Sequence, residues 1–171
     1  GGLAGCDDPI VRVSVGPSES CAVREGGRVL CWSASVASEV EGLTDVVDVV
    51  TSLSSSCALR TNGEVWCWGY GGYGLLGRGP EFALPVYPPR PVPAVPSAVS
   101  IAATQSLVCA IRATGEVVCW GFVTWPGSAG GDPYGPTEIP ALSSVTSLFA
   151  GRANDQSFVL RTADDRVIAF G

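Results

Sequence analysis

The sequence predicts an all-β protein assembled from propeller-type blades, and three observations predict it. A segment bounded by two cysteines recurs without a gap, as CAVREGGRVLCWS (21–33), CALRTNGEVWCWG (57–69) and CAIRATGEVVCWG (109–121). Each recurrence follows a run rich in β-branched residues alternating with smaller or polar ones, the pattern of a strand. Gly (22) and Pro (13) are abundant while charged residues make up 15% of the chain, a composition suited to many short strands joined by turns. Self-similarity of this kind marks a repeat architecture in which each unit buries its faces against its neighbours.

Each unit reads in the same order. Val11, Val13 and Val15 open the first, Val47, Val49 and Thr51 the second, Val99, Ile101 and Ala103 the third, at constant offsets from the first cysteine. Next come two apolar runs around a polar turn, a hairpin signal. The turn midpoints are Gly26, Asn62 and Thr114, each followed by glycine at Gly27, Gly63 and Gly115. That spacing fits a three-residue turn with its glycine in the left-handed conformation and an adjoining bulge. Cys21 and Cys31, Cys57 and Cys67, and Cys109 and Cys119 then lie opposite each other. Cα atoms of such a pair are about 4.5 Å apart, within disulfide reach. A fourth unit, FVLRTADDRVIAFG (158–171) after Val145, Leu148 and Ala150, keeps the pattern with one extra residue, Phe158 and Ala169 standing where the cysteines would be. A variable segment after each hairpin has room for one more strand, completing a blade. The expected organisation is a single domain, 1–171, with units near 9–42, 43–96, 97–142 and 143–171, the last incomplete.

The alternating strand, CALRTNGEVWCWG and then YGGYGLLGRG (70–79) resemble the regulator-of-chromosome-condensation repeat family, and the paired cysteines are most similar to its bacterial extracytoplasmic versions. The resemblance spans nearly the whole chain. The glycine-rich tail departs from the pattern after the first hairpin, where Ser33-Ala34-Ser35 stands, and after the third, where FVTWPGSAGGDPYG stands. The resemblance implies a ring that usually has seven blades, of which this chain offers about four. It is therefore expected to be a fragment of a longer protein, to close by assembly, or to form a compact four-bladed ring. The family includes exchange factors for small GTPases and a secreted inhibitor of β-lactamases; disulfides and an acidic chain argue against the exchange role.

Zinc sites favour close C-x₂₋₄-C pairs and often histidine, whereas here the cysteines are ten apart and histidine is absent. Three disulfides are the expectation, each closing a loop of about ten residues and contributing roughly 3 kcal/mol in the chain-entropy model. An oxidising location follows: periplasm, cell surface or outside. Cys6 is left over. Leu3-Ala4-Gly5-Cys6 matches the small-residue pattern at which bacterial lipoproteins are cleaved and acylated, making Cys6 a lipidation candidate; the alternative is an ordinary inter-blade loop. No run reaches the roughly 18 apolar residues of a membrane helix. All ten basic residues are arginine, the drift of a GC-rich bacterial genome. The net charge of −6 and the lack of a basic run disfavour nucleic acid and suit a neutral or basic protein partner.

Without histidine or lysine the chain cannot form a Ser-His-Asp triad, a Cys-His pair, a Schiff base or a P-loop. Carboxylate pairs at Asp7/Asp8, Asp45/Asp48 and Asp164/Asp165 are the remaining route to catalysis, though turns and solvated faces are their expected surroundings. No metal or cofactor is expected, and no enzyme activity. Trp32, Trp68 and Trp120 recur once per unit and are expected between blades, while Trp66 and Trp125 break the repeat and suit a binding surface. The stretch 70–98 carries Tyr70, Tyr73, Phe82, Tyr87 and Arg90 among prolines, and the loop 122–138 carries Phe122, Trp125 and Tyr134. Aromatics and arginine are the residues that dominate interfaces, and proline stiffening lowers the ordering cost of binding; the same stretch also suits a stiff blade connection or a polyproline II segment docking into a partner. The function expected is a non-catalytic protein-binding or scaffolding propeller of the bacterial envelope or secreted space. The alternatives are a structural subunit of a larger envelope complex, built with further chains, and a hydrolase or lyase acting on polysaccharide through paired carboxylates.

Overall fold

A computed structural model describes residues 8–33, 36–79, 86–122, 135–140, 142–151 and 157–170. Four antiparallel sheets follow one another along the chain, and no helix occurs among the described residues. Blade 1 comprises β1 (Ile10–Val15), β2 (Ser20–Arg24), β3 (Val29–Ser33) and β4 (Val36–Glu39). Blade 2 comprises β5 (Val46–Thr51), β6 (Ser55–Arg60), β7 (Val65–Gly69) and β8 (Tyr87–Pro91). Blade 3 comprises β9 (Ala98–Ala103), β10 (Leu107–Arg112), β11 (Val117–Gly121) and β12 (Thr137–Glu138). Blade 4 comprises β13 (Val145–Ala150), β14 (Phe158–Thr162) and β15 (Val167–Phe170). The strands of each sheet are paired in chain order, so every blade is a meander.

The hairpins place Cys21 opposite Cys31, Cys57 opposite Cys67 and Cys109 opposite Cys119, with Cα separations of 4.1, 4.1 and 4.0 Å, and each pair forms a disulfide. The turn glycines Gly27, Gly63 and Gly115 have φ of 74°, 81° and 85°. The fourth hairpin corrects the sequence alignment. Val159, not Phe158, pairs with Ala169, ten residues on, and Asp165 (φ 63°) takes the glycine's place in the turn. The fourth unit therefore aligns without an extra residue, with Val159 and Ala169 at the cysteine positions.

Successive blades stack face to face. Between blades 1 and 2 pack Cys21, Val23, Val29 and Cys31 against Val46, Val49, Ala58 and Trp68. Between blades 2 and 3, Leu59, Val65, Leu75 and Tyr87 meet Ala98, Ile101, Val118 and Trp120. Between blades 3 and 4, Cys109, Ile111 and Val117 meet Val145, Leu148, Phe158 and Leu160. A bulge in each first strand moves the inward register: Val46, Ala98 and Val145 are buried, while Val47 and Val99 point to solvent, against the simple alternation. Trp68 and Trp120 lie between blades as expected, whereas Trp32 is half-buried, because it belongs to the face of blade 1 that no blade among the described residues covers.

A backbone latch joins each hairpin turn to the next blade. The Gly27, Gly63 and Gly115 carbonyls accept the N–H of Val46, Ala98 and Val145 at 3.0, 2.9 and 3.0 Å. The residue before each donor strand, Asp45, Ser97 or Ser144, is itself left-handed, with φ near 58°, 57° and 59°. A Cβ on any of these glycines would meet the backbone of Asp45, Ser97 or Ser144 at 2.9 Å, so the contact requires glycine.

Candidate functional site

Among the described residues, the turns after β1, β5 and β9 lie at the same end of the stack as the exits of β7 and β11, and there Tyr70, Tyr73 and Phe122 gather. In blade 2 the chain leaves β7 through Gly69 (φ 106°), and the Tyr70 N–H donates to the Ser54 carbonyl at 2.9 Å. Gly71–Gly79 then dips between the blades. Leu75 and Leu76 are buried, the Leu75 carbonyl accepts from Trp120 Nε1 at 3.0 Å, and a Cβ on Gly77 would lie 2.7 Å from Val92. Anchored so, the loop leaves Tyr70 and Tyr73 outside. Blade 3 repeats the exit: Gly121 (φ 122°), then Phe122, whose N–H donates to the Ser106 carbonyl at 2.8 Å. Tyr70 and Phe122 are thus equivalent positions of neighbouring blades.

Tyr70 and Tyr73 stand edge to face with centroids 5.9 Å apart, and Tyr73 and Phe122 do the same at 5.9 Å. Phe122 is 56% exposed and Tyr73 46%, both large for apolar rings. Between them opens a notch of about 270 Å³ lined by Leu53, Tyr73, Leu75, Gln105, Ser106 and Phe122. The Leu53 N–H donates to the Gln105 carbonyl at 3.0 Å, tying the two blades together at its edge. No charged side chain lines it among the described residues.

The expected residues divide. Tyr70, Tyr73 and Phe122 come together. Tyr87 does not join them: it is a buried residue of β8, in the core between blades 2 and 3, so it is unavailable to a partner. Arg90 is exposed on the same strand, 5.9 Å from the Tyr87 ring centroid, and its carbonyl accepts from Arg78 Nη1 at 3.1 Å. Residues 87–91 of the proline-rich stretch are an edge strand paired with β7, not a free polyproline segment. Phe82, Trp125, Tyr134 and Cys6 lie outside the described residues, as does Asp7. Trp66 is occupied by its own blade: its Nε1 donates to Glu64 at 3.0 Å and the Arg60 guanidinium lies 5.4 Å from its ring. Leu53, Gln105 and Ser106 were missed. Leu53 and Gln105 each stand four residues before the first cysteine of their hairpin, and a leucine in so tight a turn is the signal that marks them.

The carboxylates do not assemble a reactive pair among the described residues. Asp164 pairs with Arg166 at 2.8 Å and Asp165 with Arg161 at 2.6 Å, while Asp45 reaches Arg60 at 3.5 Å. A hydrogen bond from the Thr162 hydroxyl and the nearby Arg166 charge hold Asp164 below the usual carboxylate range. Asp48 goes the other way: burial raises it, opposed by the Val49 N–H and by Arg12. Where the inner strands converge, a cavity of about 60 Å³ is lined by Val15, Gly16, Pro17, Thr51, Ala103, Thr104, Gln105 and Gly151, with no carboxylate among the described residues. Glu19 lies beside the Cys21 and Cys31 sulfurs, but a disulfide offers no thiolate to a metal.

The family model of the regulator of chromosome condensation (RCC1) repeat matches residues 46–75, and a second model of the same repeat matches 62–111. Residues 46–111 are regulator of chromosome condensation repeats. Several solved structures superpose on the chain. Human WBSCR16 does so with a TM-score of 0.81 at 18% identity, over 99% of this chain and 49% of that one. Prp20p of Saccharomyces cerevisiae, studied for its binding to Gsp1p and histones, gives 0.78 at 18%, over 96% and 46%. The ectodomain of the Physcomitrella patens receptor kinase CR4 gives 0.67 at 24%, over 100% and 43%. The chain thus spans under half the length of each, and at these identities the likeness is one of fold. The search of curated proteins found no match. The aromatic notch lies within and just beyond the RCC1-repeat segment, between its two consecutive blades.

Proposed function

We propose that the chain is a non-catalytic protein-binding propeller unit working outside the cytoplasm, and that it binds through the aromatic end of blades 2 and 3. The observation that carries this reading is the cluster of Tyr70, Tyr73 and Phe122 around an uncharged notch. Exposed aromatics beside a preformed apolar recess are the makings of an interface hot spot. The chain offers no histidine or lysine, and its described carboxylates are tied to arginines or scattered, which leaves the polysaccharide hydrolase reading without support. Three disulfides support an oxidising compartment, the periplasm, cell surface or exterior.

The test is affinity capture from envelope and culture-medium fractions with the wild-type chain and with the double variant Tyr73→Ala/Phe122→Ala. Both side chains are exposed, so the variant should fold. A partner held by the wild type and lost by the variant is expected; a partner retained equally by both would remove this surface from the proposal. Native protein with all its cysteines reduced would remove the location.

A second reading, a structural subunit of a larger assembly, is favoured by the apolar faces of blades 1 and 4. Ile10, Val13 and Val15 on one, and Phe149, Val159 and Val167 on the other, are exposed surfaces of the kind that further blades cover.

A further inference from the structure

We propose that the notch between blades 2 and 3 receives one aromatic side chain of a partner protein, and that Ser106 Oγ bonds the main chain beside it. This rests on the protein-binding reading above and gives its site a ligand chemistry.

Size points to a single ring. An apolar cavity of about 150 Å³ holds benzene, and pockets for whole small molecules run from about 300 to 1,000 Å³. The notch, at about 270 Å³, has room for one ring with its flanking main chain. Chemistry points to an aromatic one. Leu75 and Leu53 supply aliphatic contact, and Tyr73 and Phe122 already meet at 65°, so a third ring can join them edge to face. An arginine would find these faces too, but no carboxylate among the described residues lines the notch to meet its charge. Ser106 adds the polar element. Its Oγ is buried and has no hydrogen-bond partner, although Ser106 lines the notch. A buried hydroxyl left unpaired is unfavourable until a partner reaches it. The frame is preformed, because the carbonyls of Gln105, Ser106 and Leu75 are each held by an N–H of Leu53, Phe122 or Trp120. Binding therefore orders few groups.

The experiment titrates N-acetyl-phenylalaninamide, N-acetyl-leucinamide and N-acetyl-argininamide into the oxidised 171-residue chain, following backbone amide shifts. The expected result is shifts centred on Leu53, Gln105, Ser106 and Phe122, with the phenylalanine amide bound about 2- to 10-fold more tightly than the leucine amide, and the arginine amide weakest. Phe122→Ala should abolish the shifts. Ser106→Ala should weaken the phenylalanine amide about 2- to 10-fold with the spectrum elsewhere unchanged. Equal binding of all three, tightest binding of the arginine amide, or shifts away from the notch would overturn the ring anchor, and full affinity in Ser106→Ala would overturn the hydroxyl's part. If the amides fail while Tyr73→Ala/Phe122→Ala still abolishes capture, the ring anchor falls and the binding face stands. If the phenylalanine amide binds here while capture is unaffected, the notch takes rings and the protein-binding reading of this face falls.

Discussion

The first strands of blades 1 and 2 do the same work in two surroundings. Both begin three residues before a valine that pairs with the alanine after the first cysteine, both carry a bulge near their start, and both pair with the strand holding that cysteine. Yet Val13 of β1 is 57% exposed and Val49 of β5 is 2% exposed. Val49 packs on the cysteine face of blade 1, whereas no blade among the described residues lies against Val13. Ile101 and Leu148, at the same position of blades 3 and 4, are buried like Val49. A strand of this fold is therefore written for a neighbour, and its apolar residues become core only when the preceding blade is in place.

The sharpest way to break that comparison is to put one charge at both positions. Val49→Asp should destabilise by about 3 kcal/mol or more, since a carboxylate there would be buried without a partner. Val13→Asp should cost under about 1 kcal/mol. Urea unfolding of the two variants measures the difference, and an equal loss would show that the face of β1 is covered in solution.

A smaller effect concerns the latch. Gly63 touches the backbone of Ser97, but its equivalent in blade 4, Asp165, meets no further blade among the described residues and pairs with Arg161. Gly63→Asp should cost about 2 kcal/mol or more, from left-handed strain and the clash with Ser97, while Asp165→Gly should change stability by less than about 1 kcal/mol. Thermal unfolding of the pair decides it; tolerance of Gly63→Asp would mean that the latch does not set blade spacing.

The smallest effect is electrostatic and lies between the same two blades. Burial holds the Asp48 pKa above the ordinary value of 3.8, with Arg12 of β1 opposing. The folded state thus keeps the proton longer than the unfolded state, so this group's contribution falls as pH rises above 3.8. Asp48→Asn should flatten that fall between acid and neutral pH in a series of melting curves. Glu64, Glu116 and Asp164, held below their usual values, act with the opposite sign, stabilising above those values and losing that contribution on acidification. A steeper fall in Asp48→Asn would show that Arg12 outweighs burial.

The hairpins were legible because three gapless copies fix the cysteines, turn glycines and strands together. The fourth reads one residue off because FVLRT shares Leu-Arg-Thr with CALRT, whereas the turn at Asp165 sets the true register. The inward residues of the first strands were half legible: β-branched runs announce a strand, but a bulge decides whether Val46 or Val47 faces in. In the candidate site, Tyr70, Tyr73 and Phe122 stood out as aromatics in loops. Tyr87 looked similar and is core, because only pairing with β7 shows that the proline-rich stretch carries the fourth strand. Leu53, Gln105 and Ser106 belong to tight turns that become neighbours only when two blades stack.

The three disulfides close the hairpins of blades 1, 2 and 3 each on itself, ten residues apart, and none of the three crosses from one blade to another. The three pairs these six cysteines form are also the most local ones open to them, and shorter loops close at lower entropic cost. Oxidation can therefore follow synthesis hairpin by hairpin, each crosslink made before the next pair emerges, and the native connectivity is reached with little need to shuffle mispaired thiols.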